Sequence, residues 1–528
     1  MDSEVSLRSV LDRSRVTRVI LLQISPAWRL VIGAGLSFLS ALLVTLSMPP
    51  YGYWPLAVLG FLPMILAQFR ILPRRFSSLA SAITIGGLVG FYIMDAFLNL
   101  PGAPWYMRTL PLLFGIFVLI TDSRTRKFHE MTGHRWFVLN GAFAWVGVEM
   151  IRGFIPMLGT WGFISYAYFK QPWLIQPVSV FGIFGMSLIN MLFSYSLGLS
   201  LLAWFDRRWK VDQDQRPVEI RTALPWLIGG GAVFLLWVVF SLVLYKPLAD
   251  GGINVAAVQS GFKSLWSEDE VQTNNLSQDR FEEIYHQHYE NLIRQTRELR
   301  DQDIDLVVWP EGAVNFDPQL SRSSELQELA STLDAYLVIP YGVGWRNEVT
   351  VLTPEGEFLG VYGKNHPVLF VNEKSLTHGV YPAYRTVLGE IGTIICYDLD
   401  FTDTARNVAN SGADLIAVPS GDWPGIADKH FAHLVFRAVE NRTAMIKADR
   451  SYDSAIIDPY GRILSLFSSP EAKQRTITAE VQIVDQETIQ QVLGDWVGWI
   501  CLAGLAFFGV FTPVVLMRNV ESFDEEGE

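Results

Sequence analysis

Ile391-Gly-Thr-Ile-Ile-Cys396-Tyr397-Asp398 is the stretch on which the reading of the second half of this chain turns. A β-branched run that closes on a thiol and an acid reads as a buried strand carrying its last residues to the edge of a sheet. The same texture repeats on both sides. Upstream, Asn254–Gln259, Asp305–Trp309 and Tyr336–Ile339 are short β-rich runs, separated by helix-like stretches at 277–301 and 323–334. Pro354-Glu-Gly356 marks a hairpin turn within 349–363. Downstream, a helix over 402–411, a strand over Asp414–Val418, a helix over 428–441 and strands near 443–448 and 454–465 continue the series. Strands alternating with helices predict a layered α/β domain, its helices covering the sheet, over residues 252–486.

Three chemically useful residues stand where predicted strands end: Glu311, Lys364 and Cys396. Strand ends are where sites assemble in layered α/β domains. The reaction that needs this trio is acyl transfer through a thioester. Glu takes the thiol proton, Cys attacks a carbonyl, and Lys steadies the oxyanion together with a backbone N–H. A neighbouring Lys is also expected to favour the thiolate. Spacing alone leaves a bland alternative open, since Glu and Lys are common and a cysteine is often just a small buried hydrophobe. Only Cys396 and Cys501 are present, and Cys501 lies in an apolar run, which speaks against their pairing. No CxxC or Cys/His cluster suggests zinc, so neither a metal nor a cofactor is expected.

The rest of the chain is of another kind. Of 528 residues, 50% are hydrophobic and only 18% charged, a balance that suits a protein partly in the membrane. The net charge of −12 speaks against nucleic acid as a partner. Apolar runs over 30–47, 53–69, 77–94, 109–121, 136–154, 174–204, 225–245 and 496–517 predict about eight transmembrane helices. They divide the chain into a bundle at 1–248, the α/β domain at 252–486, and a final helix with an acidic tail at 494–528. The first run is too long for a cleavable signal and is followed at once by further spans. Arg8, Arg13, Arg15 and Arg18, then Arg70, Arg74 and Arg75, then Arg124, Arg126, Lys127 and Arg135, then Arg207, Arg208, Lys210, Arg216 and Arg221 fall in alternate loops. Positive loops stay inside, which predicts cytoplasmic termini and an extracytoplasmic α/β domain. Glu149 and Arg152, three apart in one span, are placed to pair on a helical face or to meet a substrate.

The motifs Val308-Trp309-Pro310-Glu311, Tyr362-Gly363-Lys364-Asn365-His366 and Ile395-Cys396-Tyr397-Asp398 resemble the nitrilase, or carbon–nitrogen hydrolase, superfamily. Arg437-Ala-Val-Glu-Asn441 and Asp458-Pro-Tyr-Gly461 also fit that pattern. Pro49-Pro-Tyr-Gly-Tyr-Trp-Pro-Leu56, Gly147-Val-Glu-Met-Ile-Arg152 and Trp161-Gly-Phe-Ile-Ser-Tyr166 are similar to the membrane-bound branch, the apolipoprotein N-acyltransferases. The resemblance implies a polytopic helical bundle plus an αββα sandwich. It also implies transfer of a fatty acyl chain from a membrane phospholipid to the α-amino group of a lipoprotein's diacylglyceryl-cysteine, at a bacterial inner membrane. Glu311, Lys364 and Cys396 would be the catalytic triad, with the backbone N–H of Tyr397 completing the oxyanion site. Two departures stand out. Asp398 replaces the family's usual Glu, and Glu373, the counterpart of a second active-site Glu, lies one residue further from Lys364 than usual. A membrane-tethered amidase, or an acyltransferase for another amine, is the alternative reading. Because both lipid substrates lie in the bilayer, Phe262, Leu265, Trp266, Leu369, Phe370 and Tyr381 are expected to form flaps dipping into the interface.

Overall fold

The computed structural model describes residues 20–525 except 99–104, 157, 214, 248–250, 268, 271–275, 369–372 and 375–376. The arginines before residue 19, the break at Pro101–Pro104, the end of the acidic tail, Leu369 and Phe370 lie outside the described residues.

Each predicted membrane run is helical. The spans are α1 (Pro26–Ser47), a broken helix between Pro55 and Ile71, α2 (Leu79–Leu88, extended by a π turn), α3 (Leu110–Thr121), α4 (Phe137–Gly153), α5 (Val178–Asp206) and α6 (Ile220–Leu244). Helix α1 begins where Ser25 caps it and Pro26 supplies a preset φ. Among the described residues, six helices are long and apolar enough to cross a membrane: Pro26–Ser47, Arg74–Ala96, Tyr106–Met131, Val178–Asp206, Ile220–Leu244 and Trp496–Met517. Large apolar side chains stand exposed along α3 and α6, including Leu112, Phe117, Ile120, Leu235, Leu236 and Val243. Such a surface is stable only against lipid. Two of the arginines counted as loop charges, Arg70 and Arg126, are instead buried, Arg70 against Asp206 at 2.6 Å and Arg126 against Glu130 at 3.0 Å. Glu149 and Arg152 take separate partners. Glu149 accepts from Trp145 Nε1 and the Ile164 amide, while Arg152 donates to the carbonyl of Trp161.

The α/β half contains two six-stranded sheets. Its strands are β1 (Ile253–Ser260), β2 (Leu306–Val308), β3 (Tyr336–Val343), β4 (Arg346–Leu352), β5 (Phe358–Gly363), β6 (Ala383–Thr386), β7 (Gly389–Thr393), β8 (Leu415–Ser420), β9 (Ala444–Asp449), β10 (Asp453–Ile457), β11 (Ile463–Ser468) and β12 (Gln474–Val481). The orders are β12-β1-β2-β3-β4-β5 and β11-β10-β9-β8-β7-β6. Strands β1 to β3 run parallel in the first sheet, as do β7 to β9 in the second. Alternation along the strands sorts the core: Val255 and Ala257 join the cluster shared with the second sheet, whereas Ala256 and Val258 pack under helices α7 (Gln278–Arg297) and α8 (Ser323–Leu333). The hairpin β4–β5 falls where it was expected. Strands β6 and β12 were not anticipated. The first is four residues long, and the second is an edge strand with few apolar residues, Ile477 and Val481 facing inward. The run read as one strand over 454–465 is a hairpin, turned where Asp458 accepts from the amides of Tyr460 and Arg462.

On the second sheet lie α9 (Thr402–Asn410) and α10 (Pro424–Asn441). Helix α10 is buried from Gly425 to Asn441 except at Asp428, because its other side packs on the membrane bundle. Its partners there include Asp95, 3.0 Å from Lys429, and the hydroxyl of Tyr166, 3.1 Å from Arg437. Gly182, at φ +65°, interrupts α5 and leaves the Ile183 amide free to donate to Glu440 at 2.7 Å. The last helix, α11 (Trp496–Glu525), returns to lie along α4, where a Cβ on Gly147, Gly498 or Gly504 would collide with the facing helix.

Candidate active site

Three loops bring the trio together. Strand β2 stops at Val308. Trp309 still donates to Val338, but Pro310 has no N–H for the ladder and the chain leaves the sheet. Glu311 then reaches across to the second sheet, its amide donating to the carbonyl of Ser420 at 3.3 Å. Arg450 grips the Glu311 carbonyl through Nε and Nη2 at 2.9 and 2.7 Å. Lys364 is the first residue after β5, its amide tied to the carbonyl of Asn347. Cys396 is not the end of a strand: β7 closes at Thr393, and Cys396 opens a 3₁₀ turn with φ +45°, a left-handed conformation that is costly for a side chain with Cβ. Such strain marks a residue whose placement is dictated by its surroundings.

Lys364 Nζ donates to Glu311 Oε1 at 2.8 Å and stands 3.0 Å from Glu373 Oε2. Asn347 Nδ2 bridges the two carboxylates, donating to Glu311 at 2.6 Å and to Glu373 at 3.1 Å. The extra residue before Glu373 therefore does not keep it from the lysine. Burial by itself would raise the Glu311 carboxyl, yet Lys364, Arg450 and Asn347 outweigh it and hold the group below its ordinary range. Burial works against the Lys364 ammonium too, but Glu311 and Glu373 keep it firmly charged. The thiol of Cys396 is pushed well up, first by burial and then by Glu311 and Asp422, with Lys364 opposing. Lys364 does pull toward the thiolate, as expected, but burial, Glu311 and Asp422 outweigh it, so the trio rests as carboxylate, ammonium and neutral thiol.

Asp398 is fully buried rather than a surface carboxylate. It accepts from Tyr362 Oη at 2.6 Å and from the amides of Ile395 and His366 at 3.0 and 2.7 Å. It therefore ties the turn of Cys396 to the loop of Lys364. The Tyr397 hydroxyl donates to the carbonyl of Pro156 in the bundle. Phe262 is core, packed on Tyr285 and His288 beneath Arg450, and is no flap. Trp266 is half-buried under Lys263, and Tyr381 is half-buried as well.

A second polar cluster was not foreseen. Asp422 Oδ1 accepts from the Cys396 thiol at 3.7 Å, and its carboxylate also meets His430 Nδ1 at 2.9 Å and Lys447 Nζ at 2.8 Å. Asp400 lies 3.3 Å from His430 and 2.7 Å from His433, and its Oδ2 accepts from Trp161 Nε1 of the bundle at 2.7 Å. Cys396, Asp422 and His430 converge closely, as do Asp400, His430 and His433; within them Asp422 is already paired with His430 and Lys447, whereas burial holds His433 down at about 4 and so uncharged. In sequence these residues lie scattered over 400–447, with no motif spacing to flag them.

Residues 271–491 match the carbon–nitrogen hydrolase family model, and residues 40–196 match the apolipoprotein N-acyltransferase N-terminal domain. A nitrilase-type α/β domain with a glutamate, a lysine and a cysteine at its centre, joined to membrane-spanning helices, defines a membrane-bound acyltransferase of the carbon–nitrogen hydrolase superfamily. An apolipoprotein N-acyltransferase of Geobacter metallireducens is 24% identical over 512 residues, covering 89% of this chain and 93% of that one. Apolipoprotein N-acyltransferase 1 of Treponema denticola is 25% identical over 567 residues, covering 92% and 95%. Among solved structures, an amidase from Nesterenkonia sp. aligns at 17% identity with a TM-score of 0.35, covering 46% of this chain and 94% of that one. The chain belongs to the apolipoprotein N-acyltransferase family.

Proposed function

We propose that this bacterial membrane enzyme carries a fatty acyl group from a phospholipid, through a thioester on Cys396, to the amino-terminal diacylglyceryl-cysteine of lipoproteins. The observation that carries the assignment of roles is the buried Glu311–Lys364 pair, ionised beside a neutral thiol. Glu311 takes the Cys396 proton as Sγ attacks the ester carbonyl of the donor. Lys364 and the backbone N–H of Tyr397 hold the oxyanion. As the C–O bond breaks, Glu311 returns the proton to the departing lysophospholipid oxygen, leaving the acyl-enzyme. The lipoprotein amine then attacks the thioester, Glu311 accepts its proton, and as the C–S bond breaks Glu311 passes that proton to Sγ, restoring the thiol and the carboxylate. Glu373 keeps Lys364 charged when Glu311 is transiently neutral, which its 3.0 Å distance supports. The α/β half faces the extracytoplasmic side and both termini the cytoplasm, a reading supported by the arginine-rich alternate loops.

The test is trapping of the intermediate. Phospholipid alone should leave a hydroxylamine-sensitive acyl group on the wild-type protein and none on Cys396→Ala. Adding a diacylated lipopeptide should discharge it as the triacylated product. Steady turnover with both substrates and no trappable acyl-enzyme would refute the thioester route.

A further inference from the structure

Glu311 and Lys364 account for proton removal and oxyanion support, yet the hydrogen bond of the resting thiol goes elsewhere, to Asp422. That carboxylate is completely enclosed, and every contact to it is charged or directed. Its own amide donates to Asp449 Oδ2 at 2.8 Å, which fixes the backbone just after β8. His430, from α10, presents Nδ1 to both carboxylate oxygens, at 2.9 and 3.0 Å. Lys447, from β9, completes the cage and is itself anchored on Asp453. A carboxylate so held cannot rotate away from Sγ.

We propose that Asp422 is a positioning residue for the nucleophile: fixed by His430 and Lys447, it accepts the S–H of Cys396, sets the direction of Sγ, and holds the thiol neutral until a donor carbonyl arrives and the proton passes to Glu311. This rests on Cys396 being the nucleophile. The charges around the thiol bear it out. Glu311 and Lys364 face it from the first sheet and largely offset each other as a pair. From the second sheet and α10 come Asp422, His430 and Lys447, with Asp449, Asp453 and Asp400 behind them. Burial would raise Asp422, but His430 and Lys447 override it and hold the group down at about 2, so it is an anion whenever the enzyme works. Its charge is one of the causes that lift the Cys396 thiol. Because a thiolate is the reactive form, a thiol held neutral is spared adventitious alkylation and oxidation between turnovers. The same chain of contacts continues through His430 and Asp400 to Trp161, so the membrane bundle closes its far end.

The experiment reads the thiol itself in the full-length protein in nanodiscs, as the rate of Cys396 alkylation by iodoacetamide against pH. Asp422→Asn keeps the shape and removes the charge. It should move the profile to lower pH by roughly one unit, about tenfold faster at pH 7.5. His430→Gln removes a cation that offsets Asp422 and should shift the profile the opposite way. Lys447→Gln serves the same purpose if the histidine variant does not yield folded protein. Acyl-enzyme formation from phospholipid should fall about tenfold in Asp422→Asn, despite the more reactive thiol, because Sγ is no longer aimed. Opposite shifts support the proposal. Profiles that stay within twofold of wild type, or that move in the same direction as a simple packing defect would, overturn it. The alkylation readout needs no acyl transfer, so failure of Cys396 as nucleophile would appear separately, as a wild-type protein that takes no acyl group.

Discussion

Glu311→Gln is the substitution with the most to say about the mechanism. The amide is isosteric, can still accept from Lys364, and leaves Glu373 at 3.0 Å to neutralise the ammonium. The folding cost should therefore fall below the roughly 3–5 kcal/mol of a buried pair broken outright, at about 2 kcal/mol. What is lost is the base. A positioned general base contributes about 10²- to 10⁴-fold, so single-turnover acylation by a fluorescent phospholipid should slow by that range. The thiol should respond in the opposite sense. Glu311 is the second cause of its raised proton affinity, after burial, and Lys364 pulls against it. Without the glutamate, iodoacetamide should modify Cys396 faster than in wild type at neutral pH. A slow acylation combined with a quick alkylation would exclude a generally damaged site, which would slow both. Acylation within threefold of wild type, with protein intact and acyl-enzyme confirmed on Cys396, would refute Glu311 as the base.

Asp398→Asn should destabilise by about 1–3 kcal/mol, because a carboxylate accepting from Tyr362, Ile395 and His366 loses its charge in a closed site, and acyl transfer should fall with it. Glu373→Gln should slow acylation about tenfold with little change in thermal melting, since Lys364 keeps Glu311; wild-type kinetics would remove it from the mechanism. In a Cys396→Ala background, an impermeant thiol reagent should reach Ser264→Cys, on the exposed surface of the α/β half, in intact cells and Gln213→Cys only after lysis, and the reverse would invert the topology. Stability should decline on the alkaline side. Burial disfavours the His430 cation, but Asp422 and Asp400 override it and raise the group from 6.5 to about 10. That contribution is whole below pH 6.5 and lost as pH rises through 10, up to about 5 kcal/mol. Asp422, held at about 2 against 3.8, acts at the other end: its contribution is whole above 3.8 and lost as pH falls through 2. Thermal melting in detergent should show the alkaline loss, and His430→Gln should flatten it.

What could be read beforehand was whatever shows as periodicity or as a run. The apolar stretches announced the helices, and alternation announced most strands, since each face is filled by side chains two apart. The edge strand β12 escaped because a strand with little to bury has little pattern. Cys396 was expected at a strand end and lies three residues beyond one, since a left-handed turn at a non-glycine residue leaves no mark in composition. That Glu311, Lys364, Glu373 and Cys396 would converge was legible because motif order carried them. Asp422, His430, Lys447 and Asp400 were not, because each is an ordinary residue whose meaning arises only when the second sheet, α10 and the bundle are assembled. Phe262 was misjudged for a related reason, as an aromatic near a membrane has the same sequence whether it dips into lipid or plugs a core.

Helix α11 lies along α4, glycine against side chain, although some 340 residues and the whole α/β half separate them in the chain. During synthesis the bundle must therefore stand with one wall missing while the entire catalytic half is made. Met150 and Phe143, which pack against Gly498 and Gly504 of α11, lack those partners in that interval. The closing helix also carries the indole of Trp496 to the carbonyl of Val180, next to the kink that receives Glu440. Insertion of the last span thus completes two things at once, the lipid-facing wall and the seat of the α/β half, and a chain arrested before residue 496 lacks both.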